Sequence, residues 1–362
     1  MQRPHQRTHR TGLAGAFALG VALIATGFSP ARAATVVSQT GTTDLVGAGS
    51  TFVAPFFNAA FATYGRTHPV RVTYRAVGSL GGIVQFMDGT VDFAASDVPL
   101  NAARLAQAGG NLAVGGAPVQ VPVALGGEAI VYNLPSLAGK TLRLDGPTTA
   151  RIFLGAIALW DDPALRRLNP TLALPHLAIA PVHRIDGSGT TYIFTDYLNT
   201  VSSPWATAVG KGLKVLWPLG LGGLGNGGVA DAVVQQPGAI GYVEQSYALS
   251  ARIPYAQIEN RAGVYVSPTS ATILAAAARF PHVTAQHYSI VDAPGATSYP
   301  IAGYTWVVLR SHLADRVHRR AVGALLRWLV TTGQQDARAT HYVPLPPSVQ
   351  VVAEQALSQI AA

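Results

Sequence analysis

The stretch Arg184-Ile185-Asp186-Gly187-Ser188-Gly189-Thr190-Thr191 puts a permanent cation, a carboxylate two residues away and a run of small donors side by side. Gly187 and Gly189 permit tight turns in which successive N–H groups converge on one point. Ser188 and Thr190 add hydroxyls. Tyr192, Ile193, Phe194, Tyr197 and Leu198 follow at helical spacing, so the donors are expected at a helix N-terminus, which favours a negative ligand. Arg184 can fork two parallel hydrogen bonds onto an oxyanion, and Asp186 is placed to fix its orientation. The chemistry implied is the seating of a small anion. Alone, the same residues also fit an ordinary turn with a solvated Arg–Asp pair.

Further segments of the same kind raise the anion reading. Gly47-x-Gly49-Ser50-Thr51-Phe52 resembles a dinucleotide loop, but Phe52 stands at the third glycine position, so that signal fails. Thr51 instead offers a hydroxyl and an N–H at a helix entrance. Gly78-Ser79-Leu80-Gly81-Gly82 is again small and turn-forming ahead of an apolar helix, and Ser96-Asp97 ends an apolar strand. Asp97 sharpens the chemistry. A carboxylate beside anion-binding loops repels a fully ionised guest but accepts a hydrogen bond from one that still carries a proton. Inorganic phosphate keeps a proton near neutral pH and sulfate does not. In a dry cleft sulfate would leave Asp97 unpaired, and a site built around one such bond can reject an analogue lacking it by about 10⁴–10⁵. Read in isolation, Asp97 also fits a turn cap ahead of Pro99.

These loops need a scaffold, and the chain supplies one. Leu45-Val46 leads into the first loop, a helix pattern runs from about Pro55 to Thr67, and Val70 to Ala76 alternates as a strand. A helix is expected from Gly81 to Met87, followed by a strand from Val91 into Asp97. This β-α-β-α-β order predicts an α/β sheet with its ligand groups in the loops after strands. The Gly/Pro/Val stretch from Gly109 to Gly127 is expected to be a crossover between domains. A second α/β region contains a strand from Ala129 to Leu134, a helix near Thr148 to Gly155 and a strand from Ile179 to His183. The glycine-rich loop Gly220 to Gly228 then precedes a helix. Ile301 to Leu309 reads as a strand, and Ala314 to Thr332 as an amphipathic helix with Val317, Ala321, Leu325 and Trp328 on one face.

Composition narrows the classes of function. Arg3, Arg7 and Arg10 precede an apolar run from about Gly12 to Phe28, and Ala31-Arg32-Ala33 offers a small-x-small cleavage site. Residues 1–33 are therefore expected to be a signal peptide removed after about Ala33. The run is short and broken by Gly15, Gly20, Thr26 and Gly27, which disfavours a membrane anchor. No Arg-Arg pair precedes it. With no cysteine in 362 residues, a lipid-anchored N-terminus, disulfides, thiolate nucleophiles and Cys-ligated metals are excluded together. The formal charge of +8 is misleading, because four arginines lie in the signal segment, which has no Asp or Glu; the remainder is nearer +4. No basic run resembles a nucleic-acid arm.

The ordered motifs GAGSTF (47–52), GSLGG (78–82), VDFAASD (91–97), LDGPTTARIFLG (144–155), HRIDGSGTTYIFTDYL (183–198), WPLGLGG (217–223), PGAIGYVE (237–244) and YVPLP (342–346) resemble the periplasmic phosphate-binding proteins of high-affinity phosphate ABC transporters. The resemblance covers nearly the whole chain after the signal. It implies a two-lobed periplasmic-binding-protein fold, type II-like, with lobe I at 34–123 plus 298–362 and lobe II at 124–297. Phosphate would be held by Thr51, Phe52 (through its backbone), Ser79, Asp97, Arg184, Ser188, Gly189 and Thr190, with Asp186 orienting Arg184. It further implies a periplasmic monomer with no cofactor and no metal. Its partners would be inorganic phosphate and the permease and ATPase subunits of the transporter. Three positions depart from the family pattern. Leu80 replaces a small polar residue, Leu224 stands where lysine is frequent, and Glu128 falls in an otherwise apolar strand.

A phosphate-ester hydrolase is the rival from another class. His183 lies near Gly187-Ser188-Gly189, but the G-x-S-x-G elbow is missing. No H-E-x-x-H occurs, and His282 and His287 suit no usual metal pair. Asp161-Asp162 ahead of Pro163 reads as a helix start. Gly220-x-Gly222-x-x-Gly225 formally fits a nucleotide loop but follows Trp217-Pro218 without a clear strand. Asp97 speaks against sulfate or molybdate as the cargo. A phosphate-binding relative serving secretion or adhesion remains the alternative role for the same site.

Overall fold

The computed structural model describes residues 41–101, 118–311 and 315–360. The expected signal peptide and its cleavage site lie outside them, as do residues 109–117 of the expected crossover. Three parallel strands open the chain: β1 (Thr43–Gly49), β2 (Val70–Ala76) and β3 (Phe93–Ser96), in the spatial order β2-β1-β3. Helices Ala54–Gly65 and Ser79–Met87 connect them. Leu45, Ala48, Phe93, Ala94 and Ala95 are wholly buried, and burying each large apolar side chain contributes about 1.5–3 kcal/mol. That burial holds the strand ends, and so the loops beyond them, in one layer.

The long strand β4 (Pro118–Tyr132) organises the rest. Its first part pairs antiparallel with β11 (Ala302–Arg310), which also pairs with β3. From Glu128 to Tyr132 it pairs instead with β8 (Ala239–Glu244). Beyond β8 lie β6 (Ala180–Arg184) and the short edge strand β7 (Leu221–Gly223), both parallel. The sheet order is thus β2-β1-β3-β11-β4-β8-β6-β7. Two half-sheets, each covered by helices, form the two lobes, and β4 passes from one to the other. The strands β5 (Arg143–Leu144), β9 (Gln257–Glu259) and β10 (Tyr265–Val266) make a separate small sheet. Among the described residues no helix is long and apolar enough to cross a membrane.

The α/β class and the β-α-β-α-β opening agree with the sequence reading. The stretch expected to be a crossover differs in form, since from residue 118 it is strand and not a break in the pattern. Residues 118–127 are strand, because Pro122 sits where the partner strand tolerates it. Thr305 pairs with Ala124 and Trp306 with Pro122, so Val123 is the extra residue of a bulge, a place where a strand accepts proline. The Gly220–Gly228 segment is also more ordered than a loop. It contains β7 and the first turn of the helix Gly225–Gln235. The late helix spans Arg316–Val330, with its buried stripe rotated from the expected face. Val322, Leu325, Leu326, Leu329 and Val330 face the core, while Val317 is exposed.

Candidate functional site

Asp97 follows directly on β3 and is buried. Its Oδ2 accepts from Ser50 Oγ at 2.5 Å and Ser79 Oγ at 3.5 Å, and its Oδ1 accepts from Thr305 Oγ1 at 2.6 Å. Burial pushes the carboxyl up to about 6, while the hydroxyl bonds from Ser50 and Thr305, the charge of Arg184 and the bond from Ser79 pull the other way. The turn-cap alternative is not what forms. Ser96 serves that turn, its Oγ donating to Val98 O at 2.7 Å and accepting from Val98 N–H at 3.2 Å.

Arg184 is the last residue of β6, one beyond the expected strand end at His183, and its side chain is buried. Nε donates to Asp186 Oδ1 at 2.7 Å, Nη2 donates to Asp186 Oδ2, and Nη1 donates to Thr190 Oγ1 at 3.1 Å. Burial alone would raise the Asp186 carboxyl, but the bonds and charge of Arg184 hold it below the usual range. Gly225 N–H donates to the same carboxylate at 3.1 Å. From the opposite side, Gly78 (φ 83°) comes so close that a β-carbon there would lie 2.3 Å from Asp186 Oδ2. Only glycine combines that backbone angle with that approach.

The loops after β1, β2, β3 and β6 meet at one place. Ser79 Oγ accepts from Gly189 N–H at 3.1 Å, and Leu80 N–H donates to Gly187 O at 3.0 Å. Thr51 Oγ1 accepts from Asn226 Nδ2 at 2.8 Å and from Asn226 N–H at 3.2 Å. The same Nδ2 reaches Thr190 Oγ1 at 3.1 Å. Ser188 Oγ caps the helix Gly189–Val201 by accepting from Thr191 N–H at 3.0 Å. Phe52 N–H donates to Ser50 Oγ at 2.9 Å and its ring is fully buried. The loop backbone is held from outside by Tyr74, Tyr247 and Tyr342, whose hydroxyls donate to the carbonyls of Ser50, Thr51 and Phe52. Helices Ala54–Gly65, Ser79–Met87, Gly189–Val201 and Gly225–Gln235 all begin here, and their N-terminal N–H groups bring partial positive charge to a buried spot.

All eight expected ligand residues and Asp186 therefore come together. Three more members were missed. Ser50 lies inside the GAGSTF loop, where its neighbour Thr51 was preferred. Asn226 lies in the glycine-rich segment, where a lone amide at a helix start was its signal. Thr305 had none, since a threonine in an apolar strand looks like any core threonine until the partner across the sheet is known. The departures resolve too: Leu80 joins the loops through its backbone, Leu224 is exposed, and Glu128 is completely buried.

The features of the hydrolase reading are placed otherwise. The His183 ring stacks on Trp217 with centroids 4.9 Å apart, and its Nδ1 lies 3.2 Å from Arg184 O. Asp162 caps the helix Pro163–Leu168. Among the described residues no group of three or more His, Cys, Asp or Glu side chains could hold a metal ion.

A two-lobed α/β fold in which buried donors, one arginine with its paired carboxylate and a second carboxylate, Asp97, gather where the lobes meet defines a solute-binding protein of the periplasmic type. The PBP superfamily domain matches residues 35–332. Phosphate-binding protein PstS of Xylella fastidiosa is 40% identical over 313 residues, covering 86% of this chain and 84% of that protein. Phosphate-binding protein PstS of Pasteurella multocida is 38% identical over 307 residues, covering 84% and 87%. The solved structure of a human phosphate binding apolipoprotein superposes with a TM-score of 0.70 at 21% identity, covering 86% of this chain and 94% of that one. A phosphate-binding protein from Stenotrophomonas maltophilia gives 0.66 at 21%, covering 86% and 93%. The structural likenesses establish the fold. The chain belongs to the PBP superfamily and, within it, to the family of the phosphate-binding proteins PstS.

Proposed function

We propose that this chain captures inorganic phosphate and hands it to an ABC transporter for import, performing no chemistry on its cargo. The observation that carries this is Asp97, a buried carboxylate ringed by neutral hydroxyls and facing the donors of the other lobe. Ionised, such a group can accept a hydrogen bond from a guest that retains a proton and repels one that has none. The names of the relatives agree.

In this reading Thr51, Ser79, Ser188 and Thr190 present hydroxyls, and Phe52 and Gly189 present N–H groups. Arg184, aligned by Asp186, supplies the positive charge, and Asp97 accepts the proton of the ion. Asn226 draws the first loop and Thr190 together across the cleft. Lobe I takes residues 34–123 and 298–362 and lobe II residues 124–297, with the hinge on the crossing strands. The protein works as a monomer in the periplasm after loss of residues 1–33, and the loaded form docks on a permease served by an ATPase.

Calorimetric titration of the purified protein with phosphate, with and without excess sulfate, tests the reading. One phosphate per chain, undisturbed by sulfate, is expected. Equal competition by sulfate would show that Asp97 does not act as the acceptor, and turnover of a chromogenic phosphate ester would favour the hydrolase.

A further inference from the structure

Glu128 and Glu244 are register partners across β4 and β8, so their side chains leave the same face with β-carbons about 5 Å apart. Both are completely buried. Neither carboxylate oxygen of Glu128 has a hydrogen-bond partner. Glu244 Oε2 accepts from Ser246 N–H at 2.9 Å and from Ser246 Oγ, while Oε1 has none. This is the point where β4 passes from one half-sheet to the other. A β-carbon on Gly126 would lie 2.7 Å from the Phe52 ring and 3.6 Å from Glu244 Oε1. The carboxyl and the ring of Phe52, from the first anion loop, thus both lie beside Gly126, and Glu244 N–H donates to Asn226 Oδ1 at 2.8 Å.

We propose that Glu128 and Glu244 are proton-holding residues beneath the anion site, whose neutrality is required for tight phosphate capture, so that affinity falls in alkaline solution. The proposal rests on the phosphate-receptor reading. The groups facing the pair are Asp97 after β3, Arg184 at the end of β6, Tyr242 on β8, Tyr247 on the helix Gln245–Ser250, Tyr342 near the C-terminus and Tyr299, whose hydroxyl donates to Glu128 O. Arg184 is already forked onto Asp186. Were both glutamates ionised, they would join Asp97 and Asp186 as four negative charges around one arginine before any anion arrived. Unpaired buried charge of that kind is avoided by binding a proton. Burial and the Asp97 charge push the Glu128 carboxyl well above its ordinary value, and burial pushes Glu244 up to about 8.

The sign follows from linkage. An incoming anion favours the neutral form of each glutamate, so it raises their proton affinity. Above the pH at which the ligand-free pair begins to ionise, binding must take up a proton, and affinity drops by up to about tenfold per pH unit.

The test is calorimetric titration with phosphate from about pH 7 to about pH 10 on wild type, E128Q and E244Q. The fold is followed by circular dichroism at each pH. Wild type is expected to show a rising Kd above about pH 8 and, in buffers of different ionisation enthalpy, uptake of up to about one proton per phosphate. The E128Q and E244Q slopes are expected to be shallower. A wild-type Kd constant to about pH 10, or no proton uptake, would overturn the inference, as would variants retaining the full slope. If E244Q does not fold, E128Q and the wild-type proton count decide. Failure of wild type to bind phosphate at about pH 7 would instead sink the receptor reading.

Discussion

Gly189 and Asp97 stand so close that a β-carbon on the glycine would lie 2.3 Å from Asp97 Oδ2. One begins the helix after β6 and the other directly follows β3, so this contact joins the two half-sheets with no side chain between them. The approach lets a helix N-terminus and a buried carboxylate share one small space.

Gly189→Ala is therefore expected to hold the two sides apart. Overpacking of a tight site costs about 1–3 kcal/mol, so the Kd for phosphate should rise by about tenfold to a hundredfold. Calorimetry beside an unchanged far-ultraviolet spectrum checks this. An alanine variant with wild-type affinity would mean that the contact is not part of the capturing form.

Asp97→Asn replaces an acceptor-only carboxylate with a group that also donates. Discrimination against sulfate should shrink by at least about a hundredfold from the 10⁴–10⁵ range that one obligatory hydrogen bond can provide, with phosphate binding retained. Competition between the two anions on the variant is the measurement.

Protonation should imitate that substitution. Burial raises the ligand-free Asp97 carboxyl to about 6. Below that pH it carries a proton it can donate to sulfate; above it, the fraction able to do so falls about tenfold per unit. Sulfate affinity should accordingly be highest in acid and decline as pH rises through about 6, while Asp97→Asn stays flat. The same raised value means that the ligand-free fold gains stability from this group below its ordinary range, near 3.8, and loses it as pH rises through about 6. Thermal melts without phosphate, from about pH 4 to about pH 7, report that loss.

Asn226→Ala removes the bridge between Thr51 and Thr190 and strands the buried N–H of Glu244. An unsatisfied buried donor costs about 1–3 kcal/mol, so the melting temperature should fall by several degrees and phosphate affinity by about tenfold. Asn226→Asp should bind phosphate more weakly still, because it adds a negative charge beside both hydroxyls. Equal loss in the two variants would show that only packing matters there.

The clearest part of the site in the sequence was the part made by neighbours in the chain. Arg184 and Asp186 are two residues apart, and Gly187 to Thr191 start a helix whose apolar spacing is visible in the next turn. The fold class was legible for the same reason, since strand and helix periods are local. β4 was harder, because its glycines and prolines look like a break until pairing with β11 shows Val123 as the bulge residue beside Pro122. The helix Arg316–Val330 shows a related limit. Its amphipathic character is evident, but which stripe turns inward depends on what it packs against.

From its sequence alone this chain fixed the residue types of an anion seat, the cation with its aligning carboxylate, and the α/β rhythm that carries them, because each depends on spacing within a few residues. The tertiary structure alone decided that Ser50 and Thr305 converge on Asp97, that Asn226 spans Thr51 and Thr190, and that Glu128 lies unpaired against Glu244. Those partners are separated by as many as 208 positions. Strand order and the burial of a shared core bring them together, and neither is written in any one segment.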